Sequence, residues 1–274
     1  SGPLGLVGID PPEVVLDTVG VYRSAAATLG KRTAEFHRAL ASLSQDQAFS
    51  PEPLRTEDLW QLAAEIREQV DSAIELLRTR LESLPEEVAS TARRVLVAEN
   101  LLVSPLDALR TAQIDSPRIR VHGDFHLGQV LWSLNDYILL DFEGEPAKSI
   151  TQRRAKHSPI KDVVGMMRSF SYAAFAGLFE ASQDRTSDFD RLLPWAIAWE
   201  QWVSAAFLSA YLEIAEPSNL VPHDRHQLSL LIDNYLLDKS LYELQYELNN
   251  RPSWVRIPLA SIAILIDRAQ GHGI

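Results

Sequence analysis

Asp124 lies in the run His122-Gly123-Asp124-Phe125-His126-Leu127-Gly128-Gln129, and a second aspartate opens Asp141-Phe142-Glu143-Gly144-Glu145-Pro146. Chemically, this is a carboxylate on a loop, an amide a few residues later, and another carboxylate at the head of a tight turn. Moving the γ-phosphoryl of ATP onto a hydroxyl calls for these parts: one carboxylate to orient the acceptor, and oxygen ligands for the metal ions that bridge the phosphates. In that reading Asp124 takes the hydroxyl proton. Gln129 and Asp141 hold magnesium, a hard cation that takes oxygen ligands and keeps several waters. Glu143 adds a carboxylate near the metals or the acceptor. Glycines at 123, 128 and 144 permit tight backbone turns beside phosphate or metal. Acids that merely cap turns would account for a lone His-Gly-Asp, but not for the full spacing.

These residues need a frame. Residues 118–121 read as a short alternating strand leading into His122. Residues 130–132 and 137–140 flank Leu134-Asn135-Asp136, a hairpin composition that returns Asp141 to the neighbourhood of Asp124. Elsewhere the periodicity is helical. Leu29, Thr33, Phe36, Leu40 and Leu43 predict a helix over about residues 21–43. Thr56 is placed to cap a long amphipathic helix through Leu59, Leu62, Ile66, Val70, Ile74, Leu77 and Leu81, which Pro85 ends; another helix runs to about Leu102. Later helices are expected over about 160–181, 187–214, 224–249 and 258–270. The fold class is therefore mainly α with a small β-hairpin insert. Residues 1–20 are expected to be a linker. Residues 21–274 form a lobe with a catalytic loop at 122–129 and a metal loop at 141–146.

The formal net charge of -11 argues against a nucleic-acid groove or an anionic membrane as partner. With no cysteine there is no disulfide framework and no thiolate metal site. No stretch approaches the length of an apolar membrane span, and the expected location is cytoplasmic.

The two loop motifs resemble the signature of maltokinases, a group within the aminoglycoside-phosphotransferase-like branch of the protein-kinase fold. Gln129, where most of that branch carries asparagine, points to the maltokinase group. Lys31-Arg32-Thr33-Ala34-Glu35-Phe36-His37, the run from Ser158 to Phe170, and Asp238-Lys239-Ser240-Leu241-Tyr242-Glu243-Leu244 are also similar to it. The resemblance implies ATP- and magnesium-dependent phosphorylation of maltose to maltose 1-phosphate, in α-glucan and trehalose metabolism, with trehalose synthase as a possible partner. It also implies that Asp162 is a helix-start carboxylate bracing the catalytic loop. Substrate contacts fall to His122, Glu143, Lys239, Tyr242, Glu243 and Tyr246. Two other readings stay open: an aminosugar or aminoglycoside kinase, and a non-catalytic sugar-binding module of a trehalose-synthase assembly.

In the helix over 224–249, Leu237, Leu241, Leu244 and Leu248 form one seam, and Tyr235, Lys239, Tyr242 and Tyr246 cluster on the opposite face. Such a helix is either sandwiched in the core or a wall of a sugar site. Trp195, Trp199, Trp202 and Trp254 read as core. Zinc at His122 and His126, or at His223 and His226, lacks a third ligand. Kinases of this fold bind the nucleotide mainly with an N-terminal β lobe carrying a glycine loop and a lysine. Before Asp124 only Val14-Val15-Leu16 looks strand-like, so the chain is expected to be a C-terminal lobe whose nucleotide lobe is missing.

Overall fold

The computed structural model describes residues 2–43, 45–182 and 186–271. Helices dominate, and the β structure among the described residues consists of two antiparallel two-stranded pairs. The chain separates into two compact units. The first comprises Ser1–Pro53 and Asp115–His223; the second comprises Leu54–Ile114 and Asp224–Ile274.

The first unit is built on α1 (Glu13–Ser42), α6 (Ile160–Ser182) and α7 (Thr186–Ala215). The helix expected from residue 21 begins at Glu13, because Val15 and Val19 continue its buried seam toward the N-terminus. Pro12 stands at the N-cap, where its missing N–H costs nothing. α1 lies against α7 at very short range. A Cβ on Gly30 would stand 2.2 Å from the Phe207 carbonyl oxygen, so only glycine permits this approach. Leu29, Ala34, Phe207, Leu208 and Tyr211 close the core around it.

The β elements of this unit are small. β1 (Glu52–Pro53) pairs with β2 (Pro117–Arg118), so the strand expected over 118–121 is shorter and earlier than its alternation suggested. Beyond it, Ile119 makes a single bridge to His157. β3 (Val130–Ser133) and β4 (Asp136–Leu139) form the predicted hairpin in the register Val130↔Leu139 to Ser133↔Asp136. Leu134 and Asn135 both take positive φ, 51° and 60°, the twist that matches a two-residue hairpin loop. Arg32 on α1 grips the base of this turn with two parallel bonds, Nε to Asp136 Oδ1 at 2.7 Å and Nη2 to Oδ2 at 2.8 Å. That pairing, with the Tyr137 amide, holds the Asp136 carboxyl below its ordinary range.

The second unit contains α2 (Thr56–Arg80), α3 (Glu86–Val97), α4 (Asn100–Thr111), α8 (Arg225–Asn250) and α9 (Arg256–Ala269). Thr56 is the first helical residue rather than the cap; the Arg55 amide donates instead to Asp58 Oδ2 at 2.8 Å. Leu59, Ile66, Val70, Ile74 and Leu77 are buried as their spacing requires. The single helix expected after Pro85 is two helices, α3 and α4, and no glycine or proline at Ala98 or Glu99 announces the break. On α8 the leucine seam of 237, 241, 244 and 248 is buried. Tyr235 is buried too and leaves the exposed face, whereas Tyr242 and Tyr246 remain on it. Among the described residues no helix is long and apolar enough to cross a membrane.

Candidate active site

The loop over residues 122–129 is anchored at its entry by one buried carboxylate. Asp162, in the first turn of α6, accepts the His122 amide through Oδ2 at 2.6 Å and the Gly123 amide through Oδ1 at 2.9 Å. The same Oδ2 meets His37 Nε2 on α1 at 3.1 Å, and His37 Nδ1 lies 3.0 Å from the Tyr211 hydroxyl on α7. An ionised carboxylate can only accept, so in the neutral imidazole Nε2 carries the proton and Nδ1 accepts from the Tyr211 O–H. The result is a buried chain from α7 through α1 and α6 to the backbone of the loop. Burial pushes the Asp162 carboxyl up, but the bonds from His37, Gly123 and His122 outweigh it and hold the group below its ordinary range. Burial pushes the Tyr211 phenol well up, which keeps its donor proton in place.

His37 and Tyr211 escape a reading of the sequence. The available signal was the buried face of α1, where His37 follows Thr33 by one helical turn; a histidine there must find polar partners.

Past Gly123, which sits at φ 84°, the loop presents Asp124 and buries Phe125 against α6. Gly165 makes that contact possible, since a Cβ there would stand 2.6 Å from the Phe125 carbonyl oxygen. The Leu127 amide donates to Ser169 Oγ at 3.0 Å, fixing the loop's exit to the same helix. A short helical turn, Leu127–Gln129, then runs into β3.

The loop over residues 141–146 returns beside it. His122 spans the two segments: its Nε2 donates to the Leu140 carbonyl at 2.8 Å, and its ring packs between Phe125 and Phe142 at centroid distances of 5.2 and 5.6 Å. The Leu140 amide donates to the Gln129 carbonyl at 2.9 Å, extending the hairpin ladder by one bond. Asp141 follows at φ 57°, a left-handed conformation that a residue with a side chain adopts at a cost and that recurs at functional sites. Its Oδ2 accepts from Gln129 Nε2 at 3.0 Å. Gly144, at φ 76°, brings its Cα to 3.6 Å from where a Gly123 Cβ would stand. Arg153 braces this loop from behind, donating to the Lys148 and Pro146 carbonyls at 2.8 and 2.6 Å. Lys156 pairs with Glu52 at 2.6 Å. These cations are therefore engaged in structure rather than lining an anion site.

Gln129 and Asp141 fit a divalent cation in donor type. Both can supply oxygen, Gln129 is half-buried and Asp141 exposed, and their side chains already touch through the Gln129 amide nitrogen. No group of three or more histidine, aspartate and glutamate side chains gathers to hold a metal among the described residues. Few protein oxygens plus water and phosphate is the pattern magnesium takes in phosphoryl-transfer sites. Glu143 is exposed on the same loop.

Lys239, Tyr242, Glu243 and Tyr246 belong to the second unit. There Lys239 Nζ lies 5.0 Å over the Tyr242 ring, and the Arg251 guanidinium stacks over Tyr246 and Trp254 at 5.6 and 4.8 Å. Glu243 is buried, and Glu247, also buried, takes both arms of Arg251 at 2.9 and 2.6 Å. The expected tryptophan core does not form. Trp195 is 46% exposed, Trp199 and Trp202 are half-buried, and Trp199 meets Tyr22 edge-on at 5.5 Å.

A loop hung from a buried helix-start carboxylate, with a hairpin that brings Asp141 back beside that loop, is an arrangement suited to phosphoryl transfer. The family model described as APH, phosphotransferase enzyme family, matches residues 3–144, and the chain belongs to this family, with its aminoglycoside-phosphotransferase-like kinase fold. The chain is 31% identical over 251 residues to a glucosamine kinase of Streptacidiphilus jiangxiensis, covering 88% of the chain and 49% of that protein. It is 28% identical over 154 residues to a glucosamine kinase of Mycolicibacterium smegmatis, covering 55% of the chain and 35% of the relative. Among solved structures, a glucosamine kinase in complex with glucosamine, ADP and inorganic phosphate superimposes with a TM-score of 0.69 at 27% identity, over 90% of this chain and 55% of that one. The chain thus spans about half the length of the curated glucosamine kinase that it matches over most of its own length.

Proposed function

We propose that this chain carries the acceptor-side and catalytic residues of an ATP-dependent aminosugar kinase, one that phosphorylates a hydroxyl of glucosamine or a close relative. The observation that carries the reading is the meeting of Gln129 and Asp141 beside the Asp124 loop, in a chain that matches glucosamine kinases over most of its own length. In this reading Asp124 orients the acceptor hydroxyl and accepts its proton. Gln129 and Asp141 hold magnesium, which when bound neutralises charge on the phosphates. Asp162 and His122 keep the two loops in register. Glu143 supplies a carboxylate for an ammonium group.

The acceptor is the point on which our reading moves from maltose. The relatives named above are glucosamine kinases, and the trehalose-synthase partner drops out with the maltose assignment. ADP release by the full-length protein with glucosamine, glucose, maltose and kanamycin decides the matter. The expected order places glucosamine first. A preference for maltose restores the other branch, and no release with any of the four removes the sugar-kinase reading.

A further inference from the structure

His126 is the one titratable side chain of the loop 122–129 that the reading above leaves unused. Its Nδ1 accepts the Gly128 amide at 3.0 Å, capping the turn that leads to Gln129. An amide can only donate, so in the neutral ring the proton sits on Nε2. That Nε2 stands 3.8 Å from Asp124 Oδ2. The ring lies close against Gly128; a Cβ there would stand 2.7 Å from its Cε1 and 2.9 Å from its Nδ1. Glycine at 128 is therefore what lets the imidazole occupy this place. The sequence offered His126 only as half of an unconvincing zinc pair.

We propose that His126 is a positioning residue for Asp124: locked in the Nε2–H form by the Gly128 amide, it presents a donor to one carboxylate oxygen and leaves the other for the acceptor hydroxyl. This rests on the reading of Asp124 as the base. The separation of 3.8 Å exceeds a hydrogen bond, but the two groups share one loop, and contacts of this kind shorten when a substrate closes around them. A carboxylate free to rotate would offer its oxygens to the hydroxyl in many orientations, and misplacement by about an ångström at a reacting group costs on the order of a hundredfold in rate.

The two nitrogens of His126 can be tested separately. Asparagine places an acceptor where Nδ1 stands and keeps the turn, but has no donor toward Asp124. Glutamine places a donor near the Nε2 position and gives up the turn. In the full-length protein assayed with glucosamine, His126→Asn should lower kcat by about tenfold to a hundredfold with little change in either KM. His126→Gln should recover part of that loss. In an Asp124→Asn background His126→Asn should cost little more, because the group it serves is gone. Wild-type kcat in His126→Asn, or the same fold loss in both backgrounds, overturns the proposal. The imidazole nitrogen-15 spectrum of this chain checks the geometry without turnover. It should show His126 protonated at Nε2, with a signal that moves in Asp124→Asn; protonation at Nδ1, or no response, also overturns it. Failure of every acceptor in the assay, with the expected spectrum, would instead count against the kinase reading and leave this contact standing.

Discussion

Replacing Asp162 by asparagine keeps the volume and changes only the bonding, so it isolates the anchor of the catalytic loop. The carboxylate accepts from the His122 amide at 2.6 Å, the Gly123 amide at 2.9 Å and His37 Nε2 at 3.1 Å. Asparagine has one acceptor oxygen, and its amide nitrogen must face a donor. Leaving one buried donor unsatisfied costs about 1–3 kcal/mol, and exchanging a charged acceptor for a neutral one weakens the remaining bonds by about 0.5–1 kcal/mol each. The expected loss is therefore about 2–5 kcal/mol, a large share of the stability of an ordinary domain. Urea unfolding followed by circular dichroism measures it. The acid limb supplies a second reading. Because the folded state holds the Asp162 carboxyl below its ordinary range, its contribution is full above the unfolded value of 3.8 and is lost as pH falls through the lower folded one. The wild-type protein should lose this increment through that acid window, and Asp162→Asn should lack it. An unfolding free energy within about 0.5 kcal/mol of wild type, or an unchanged acid limb, would refute the anchoring argument.

Other outcomes follow from the same geometry. Asp141→Ala should abolish phosphoryl transfer in the full-length protein with little loss of stability, and Asp124→Asn should cost several orders of magnitude in kcat; near-normal turnover in either sinks the assignment of that residue. Gly165→Ala drives a Cβ to 2.6 Å from the Phe125 carbonyl and should cost about 1–3 kcal/mol while displacing the catalytic loop, seen as shifted Gly123 and Phe125 amide resonances. This chain should bind Mg-ATP weakly in calorimetry if the expectation of a missing nucleotide lobe holds, and no strand among the described residues carries a lysine; tight binding would mean that the helical first half holds a nucleotide site.

The parts legible in the sequence are those set by neighbours along the chain. The hairpin follows from strand residues on either side of a turn that tolerates positive φ, so β3 and β4 fall within a residue or so of expectation. α6, α7, α8 and α9 follow from sustained helical periodicity, and the leucine seam of α8 from spacing alone. Asp124, Gln129 and Asp141 were visible because one loop and one hairpin bring them together. The acceptor was not legible there: in the proposed reading the motif that pointed to maltose serves catalysis and metal binding, whereas acceptor choice depends on side chains that the motif does not specify.

What the tertiary structure decided lies between segments far apart in sequence. Tyr211, His37 and Asp162 come from three helices, and nothing local marks a histidine on the buried stripe of α1 as the middle of a hydrogen-bonded chain. Gly30 and Gly165 read as ordinary helical glycines until Phe207 and Phe125 press their carbonyls against them. The three tryptophans of α7 have core spacing, yet Trp195 is left 46% exposed and Trp199 and Trp202 only half-buried. Periodicity reports which faces of an element can be buried. Which of them is buried, and which polar group it must then satisfy, depends on the shape of the partner that arrives from elsewhere in the chain.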